Sequence, residues 1–404
     1  MSSVAATSTA GGRAAPSLPD RIKKLVSPLA SMRITVVTLI LGAFLVFAGT
    51  IAQIETGIWS VVSIYFHSFF VWIPFDIFLP RGTHVAASIP FPGGWTIGGV
   101  LLINLIAAFI VRLQWRRDRI GLLISHLGII TMLCGEIVTG VYADEGHMSI
   151  DEGSWSGHTE DIRHAELVFV DRSGADKDVN IVVPEHLIKK PGVIANALLP
   201  AVVDVQRFMV HSRLELDPQR LQNQSADAHR AVERPDVGGT SGEGVNMPSM
   251  YAKLHDPKTG KSLGVFLFST WAKRPTPITI AGKRYDVALR FRRKHRSFQL
   301  HLVDFTFKRY PGTDIPASYS SKVRLVDKAN QVDREVLIWM NHPLRYAGET
   351  FYQASFRPDE RGTVLQVVRN PGWLIPYVSC GLVTFGLLLH FMLSLTRFLR
   401  RRSA

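Results

Sequence analysis

The sequence predicts a membrane protein with four transmembrane α-helices and a large extracytoplasmic β-rich domain, sandwich or barrel-like, inserted between helices 3 and 4. Three observations predict it. The apolar residues, 47% of the 404, concentrate in four uncharged or nearly uncharged runs; clusters of Arg and Lys flank those runs; and the stretch before the last run is a series of short Val-, Phe- and Leu-rich segments.

The first run, "ITVVTLILGAFLVFAGTIAQI" (34–54), is long enough to cross a bilayer core at about 1.5 Å per residue. Residues 95–111, 121–142 and 373–396 make the second, third and fourth spans, the short second one flanked by Trp95 and Arg112. The basic residues set the orientation. Arg13, Arg21, Lys23, Lys24 and Arg33 precede span one, Arg112, Arg116, Arg117 and Arg119 join spans two and three, and Arg397, Arg400, Arg401 and Arg402 follow span four, so these segments hold most of the formal charge of +13. Both termini are therefore expected in the cytoplasm of a cell bounded by an inner membrane, and residues 143–372 outside it. A nucleic-acid groove would spread its cations over a folded domain with interleaved aromatics, and that class is excluded. The lipid bilayer is the partner these charges imply.

Residues 1–33 are rich in Ala, Ser and Gly and are expected to be a disordered basic cytoplasmic segment rather than a signal peptide, and 397–404 a basic tail. The outer loop 55–94 contains "SVVSIYFHSFFVWIPFDIFLP" (60–80), aromatic and interrupted by Pro74 and Pro80. It reads as an amphipathic or re-entrant segment, because a fifth span would carry the Arg cluster of 112–119 outside. Within 143–372, "HAELVFVD", "DVNIVV", "SLGVFLF", "SFQLHLVDFTF", "KVRLVD" and "EVLIWM" read as strands separated by turns such as "DPKTGK" and "YPGTD". Residues 186–230 have a more helical composition, and 234–249 read as a loop. The only cysteines, Cys134 and Cys380, fall in spans, which leaves the outside domain without a thiol redox pair.

One residue breaks the pattern of an ordinary span. His126 lies inside "GLLISHLGIITMLCGE", seven residues from Arg119 and so about 10 Å from the cytoplasmic boundary. An imidazole in a span marks a functional site by default, and neutral imidazole is a haem-iron ligand. His390, seven residues before Arg397, is expected at similar depth and is a same-chain second ligand. The structural alternative is a helix-packing histidine bonded to Ser125, Asn104 or Thr384. Glu136 reads as an interfacial carboxylate.

These features together resemble the ResB family of cytochrome c biogenesis membrane proteins, also called CcsB. The resemblance rests on Gly49, Thr50 and Gln53 in span one, on Pro92, Gly93, Gly94, Asn104 and Leu105 in span two, and on His126, Leu127 and Gly128 in span three. It is strongest in "VDFTFKRYPGTDIPASYSSKVRLV" and "VLIWMNHPLRYAGETFYQASF", which carry Tyr310, Pro311, Gly312, Thr313, Ser321, Asn341, Pro343, Leu344, Gly348, Tyr352 and Gln353. The resemblance implies a subunit of the system II cytochrome c maturation complex. With a CcsA-like (ResC-like) membrane partner, such a subunit delivers haem b across the membrane and supports its covalent attachment to the CxxCH of apocytochrome c. It implies a noncatalytic or accessory role in that ligation, no catalytic residue here, and His126 as a transient membrane haem ligand whose counterpart belongs to CcsA. The sequence ends after its fourth span, so by the resemblance the partner is expected on a separate chain.

The outside motif also reads without the family. Asn341 and Pro343 fix a turn, Gly348 permits a hairpin, and Phe351 and Tyr352 point to opposite faces. Asn341, His342, Pro343, Leu344, Gly348, Tyr352 and Gln353 thus form either a rigid hairpin or a docking surface for CcsA or apocytochrome. Two other classes compete: a bis-His cytochrome b-like electron-transfer subunit using His126 and His390, and a haem-free scaffold with a β-rich binding domain.

Overall fold

The structure is a computed structural model and describes residues 24–80, 85–112, 119–174, 177–217, 229–234, 245–272, 274–357 and 360–402. The start of the N-terminal segment, Arg116 and Arg117, and most of the 234–249 loop lie outside the described residues. Four helices are long and apolar enough to cross a membrane: α1 (Met32–Thr56), α2 (Gly94–Arg112), α3 (Ile120–Tyr142) and α4 (Ile375–Arg402). The fourth starts slightly later than the apolar run suggests and continues through the terminal arginines, since Trp373 and Leu374 lie in a turn before it.

The chain divides into two units. Among the described residues the first takes 24–49, 64–141 and 372–402, and the second 50–63 and 142–371.

In the first unit, small residues set the closest helix contact. Gly121, Ser125, Gly128 and Gly135 of α3 are buried and repeat at helical spacing on one face, against Ser379 and Gly386 of α4. A Cβ on Gly121 would stand 2.4 Å from the His390 backbone nitrogen and 2.6 Å from the Gly386 carbonyl oxygen. Close backbone approach of this kind replaces the hydrophobic drive that lipid removes. Asn104 of α2 ties down the start of α1: its Nδ2 donates to the Leu29 and Ser31 carbonyls at 2.5 and 3.0 Å, and its Oδ1 accepts from Thr35 Oγ1 at 2.6 Å.

The aromatic segment after α1 contains no further span. Short helical turns at 58–66 lead to a hairpin of β1 (Phe70–Pro74) and β2 (Ser88–Pro92). Val71 and Ile73 turn inward while Phe70 and Trp72 remain exposed, which makes the hairpin amphipathic.

The second unit is β-rich. Its first strands are β3 (Asp144–Asp151), β4 (Trp155–Asp171), β5 (Val179–Pro184), β6 (Gly192–Ile194), β7 (Val202–Met209), β8 (Ser212–Leu216) and β9 (His229–Glu233). They are followed by β10 (Ser249–His255), β11 (Ser262–Ser269), β12 (Thr276–Ile280), β13 (Lys283–Arg309) and β14 (Pro316–Asp327). The last are β15 (Val332–Trp339), β16 (Leu344–Tyr346), β17 (Glu349–Phe356) and β18 (Gly362–Arg369).

Two long strands, β4 and β13, pair antiparallel; both line a first core, and β13 continues into a second. In the first core, Leu167, Phe169, Val287 and Leu289 of that pair meet Val203, Val205, Met250 and Phe268 of the smaller sheet β11-β10-β7-β6. In the second, the order β15-β14-β13-β4-β3-β18-β17-β16 curls until Phe298 of β13 packs edge-on against Phe351 of β17, with Leu300, Val323, Ile338, Leu344 and Leu365 around them. Each such side chain contributes about 1.5–3 kcal/mol by leaving water.

Residues 186–230 depart from their helical composition. Among the described residues of this segment only Glu185–Ile188 is helical, and β6 to β9 account for most of the rest. Valines 202, 203 and 205 alternate between intermediate and buried, and β7 lies between β6 and β10, so ladder pairing overrides the local helix-forming residues.

Candidate functional site: a histidine in the third helix and the hairpin of the outer motif

His126 is half-buried on α3, one residue beyond Ser125 and so about 100° around the helix from the face that meets α4. Its Nδ1 is 2.8 Å from the Leu122 carbonyl oxygen. A carbonyl only accepts, so Nδ1 carries a proton, and in the neutral imidazole Nε2 is then the nitrogen with the lone pair. Two of the three residues that could have absorbed the imidazole are engaged elsewhere: Ser125 Oγ donates to Gly121 and Val383 carbonyls, and Asn104 serves the α1 start. A neutral imidazole oriented by a backbone carbonyl, with its other nitrogen unprotonated, is the form a metal ligand takes.

The structure does not bring His390 to His126. The backbone of His390 packs on Gly121, five residues before His126, which corresponds to roughly 7–8 Å along the helix. His390 Nδ1 is buried and, among the described residues, has no hydrogen-bond partner.

In the β-rich unit the outer motif forms two consecutive tight turns. Met340 and Asn341 link Trp339 to His342, with Asn341 at φ 63° and the His342 N–H donating to the Trp339 carbonyl at 3.0 Å. Ala347 and Gly348, both at positive φ, close the β16–β17 hairpin between Tyr346 and Glu349. The motif then divides by role. Leu344 and Phe351 are core residues. Gln353 is a latch: its Oε1 accepts from Ser321 Oγ at 2.6 Å, and its Nε2 donates to Thr363 Oγ1 at 2.9 Å and the Ser355 carbonyl at 3.2 Å. Trp339, Met340, His342 and Tyr352 are exposed, with the His342 ring stacked on Trp339 at 4.0 Å between centroids. Of the predicted motif residues, Leu344 and Gln353 hold the fold, while His342 and Tyr352 present a surface.

Electrostatics concentrate where β4 and β13 pass between the cores. Asp161 is buried at a bulge of β4, opposite Arg292. Burial pushes its carboxyl up, but hydrogen bonds from His164 and from the Arg163 backbone N–H, together with the Arg292 guanidinium at 2.5 Å, hold it well below the usual carboxylate range. Glu160 is likewise low: burial raises it, and His158 and Arg293 outweigh that. These pairs close a bulge that apolar packing leaves open.

Sequence reasoning did not assign any role to His67 or to Gly140, and it read Trp95 only as a flank. The signal present was the Gly93-Gly94 pair, quoted above for the resemblance. A Cβ on either glycine would run into the backbone of Ser68 or Phe66, so the pair fixes the loop that carries His67.

Comparison with known proteins agrees with the resemblance. Residues 263–363, from β11 to the start of β18, match the family described as the ResB-like family. Protein NrfI of Wolinella succinogenes is 41% identical over 101 residues, which make 25% of this chain and 11% of NrfI. The chain thus spans about a tenth of the length of the curated relative it matches. The family match contains Tyr310, Pro311, Gly312, Thr313, Ser321, Asn341, Pro343, Leu344, Gly348, Tyr352 and Gln353, the residues on which the resemblance rests most strongly.

Proposed function

We propose, from the ResB-like character of residues 263–363, that this chain works in cytochrome c biogenesis as a subunit of the system II maturation complex. With a CcsA-like partner it delivers haem across the inner membrane and supports attachment of that haem to the CxxCH of apocytochrome c. In this reading both termini are cytoplasmic, the four helices span the membrane, and the β-rich unit lies on the periplasmic side.

One observation carries the haem assignment. The Nδ1–H of His126 is held by the Leu122 carbonyl, which leaves Nε2 unprotonated on a helix face other than the one packed on α4. Haem is the cargo, and His126 supplies one axial nitrogen to its iron during transit. Because His390 packs at the level of Gly121 and not of His126, the second axial ligand comes from the partner. The glycines and Ser125, about 100° around the helix from His126, hold α3 against α4, so the rotation and height of His126 are set by the packing of this chain alone. On the periplasmic side, the exposed Met340, His342 and Tyr352 form the docking surface for the partner or the apocytochrome, presented by turns too tight to deform.

The test is reconstitution. In cells that lack their own maturation system, this chain, a CcsA-like protein and an apocytochrome with one CxxCH should together yield a cytochrome that retains haem on a denaturing gel. Omitting this chain, or replacing His126 by Ala, should remove the stained band. Undiminished staining with His126→Ala would favour the scaffold reading.

A further inference from the structure

Within the helical unit, a cavity of about 220 Å³ lies beside the end of α3 that leads into the β-rich unit. It is lined by His67, Trp95, Gly98, Gly99 and Glu136, with Leu102, Leu133 and Ile137 completing the apolar wall. None of these residues takes part in the haem reading, and the inference does not rest on it.

The cavity is a built feature of the fold. A Cβ on Gly93 would stand 2.2 Å from the Ser68 carbonyl oxygen, and one on Gly94 2.3 Å from that of Phe66, so only glycine lets the 64–69 loop lie on the first turn of α2. That loop is then bonded in place. The Trp95 N–H donates to the Ser68 carbonyl at 3.2 Å, while the Gly93 N–H and Thr96 Oγ1 donate to that of Phe69 at 2.9 and 2.6 Å. His67 lies between these anchors, its ring 5.6 Å from Trp95 and tilted 35°. From the other side, a Cβ on Gly140 of α3 would come within 3.1 Å of Trp95 and 3.7 Å of His67 Nε2, which places both rings against α3 at that turn. Glu136 is one turn earlier on the same face. Gly98 and Gly99, where a Cβ would meet nothing within 4 Å, keep the floor open.

The chemistry of the lining selects a ligand class. Its ionisable groups are one imidazole and one carboxylate, and among the described residues neither has a hydrogen-bond partner. An indole forms part of the wall, and the remainder is aliphatic, aromatic or glycine. Such a slot fits a flat ring with oxygen at its edge: the ring stacks on Trp95, and hydroxyls donate to the Glu136 carboxylate and the His67 imidazole. The volume is below the roughly 300 Å³ at which pockets for drug-sized ligands begin, so one or two fused rings fit and a porphyrin does not. Because α2 and α3 are both membrane-length, an apolar tail on the ring leaves toward lipid. The geometry points to a binding site for the head group of a membrane quinol, held by His67, Trp95 and Glu136.

The test uses the full chain in nanodiscs of quinone-free lipid, titrated with decylubiquinol under anaerobic conditions and read by bound quinol per protein after gel filtration. Wild type should show a saturable component of one quinol per chain. His67→Ala and Glu136→Gln should each raise its Kd at least tenfold. Gly99→Leu, whose Cβ meets nothing within 4 Å, should fill the cavity and abolish saturable uptake while its elution volume and far-UV circular dichroism match wild type. Uptake that rises linearly with quinol, or that is the same in wild type and Gly99→Leu, would overturn the site. A Kd unchanged in both His67→Ala and Glu136→Gln would overturn the ligand assignment.

Discussion

The height of His126 depends on how closely α3 approaches α4, and glycine-to-alanine exchanges measure that dependence. In Gly121→Ala the new methyl would be 2.4 Å from the His390 nitrogen and 2.6 Å from the Gly386 oxygen, both backbone atoms, whereas ordinary contact begins at 3.4 Å. The helices must therefore open by about 1 Å, and overpacking of this kind costs about 1–3 kcal/mol. Gly99→Ala in α2 is the matched control. Its methyl meets nothing within 4 Å, and the exchange of Gly for Ala in a helix is worth roughly 0.5–1 kcal/mol in its favour. Both exchanges carry that gain, so the two variants should differ by the overpacking alone, about 1–3 kcal/mol. Equilibrium unfolding in mixed dodecylmaltoside and SDS micelles, followed at 222 nm, gives the comparison. Gly121→Ala should shift the midpoint to lower SDS and Gly99→Ala should leave it unchanged or raise it. Equal midpoints would refute the close packing of α3 on α4, and with it the claim that this chain alone sets the position of His126.

Two further outcomes follow from the β-rich unit. Asp161→Asn removes the charge that Arg292, His164 and the Arg163 N–H hold at the bulge, and should cost about 3 kcal/mol near neutral pH, the low end for breaking a buried pair because Arg292 is 41% exposed. The folded carboxyl is depressed, so its stabilisation is complete above the unfolded value of about 4 and is lost as pH falls toward the folded one. Denaturant midpoints of wild type and variant should therefore converge below about pH 4 and stay apart above it. Gln353→Leu leaves Ser321 Oγ, a buried hydroxyl, and Thr363 Oγ1 without this partner, and should cost about 1–3 kcal/mol in the same assay while Tyr352→Ala, at an exposed position, costs less than 1.

Much of this was legible in the sequence because it is local. Uncharged runs give α1 to α4, "KVRLVD" and "EVLIWM" give β14 and β15, and Asn341 with Pro343, followed by Gly348, gives the two turns. His126 stands out because no charged residue lies between Arg119 and Glu136. What was not legible depends on distant partners. "WSGHTEDIR" and "RFRRKHR" fall outside the segments read as strands, yet they are strand in β4 and β13, where Glu160 pairs with Arg293, Asp161 with Arg292 and Glu166 with Arg290 across the ladder. Charge complementarity between segments more than a hundred residues apart cannot be seen in either one. The depth estimate for His390 failed for a related reason: counting back from Arg397 takes the arginines as a common boundary, whereas Gly121 and Gly386 set the register of the two helices. His67 was missed because its neighbours Trp95 and Gly140 come from different helices.

The central claim is that His126 is a ligand to haem iron. It is tested most directly by the visible absorption spectrum of this chain purified from membranes with a CcsA-like partner, in wild type, His126→Ala and His390→Ala. The account predicts low-spin haem bands in wild type and in His390→Ala and their loss in His126→Ala. Bands of full intensity in His126→Ala would contradict it and leave His126 a helix-packing residue.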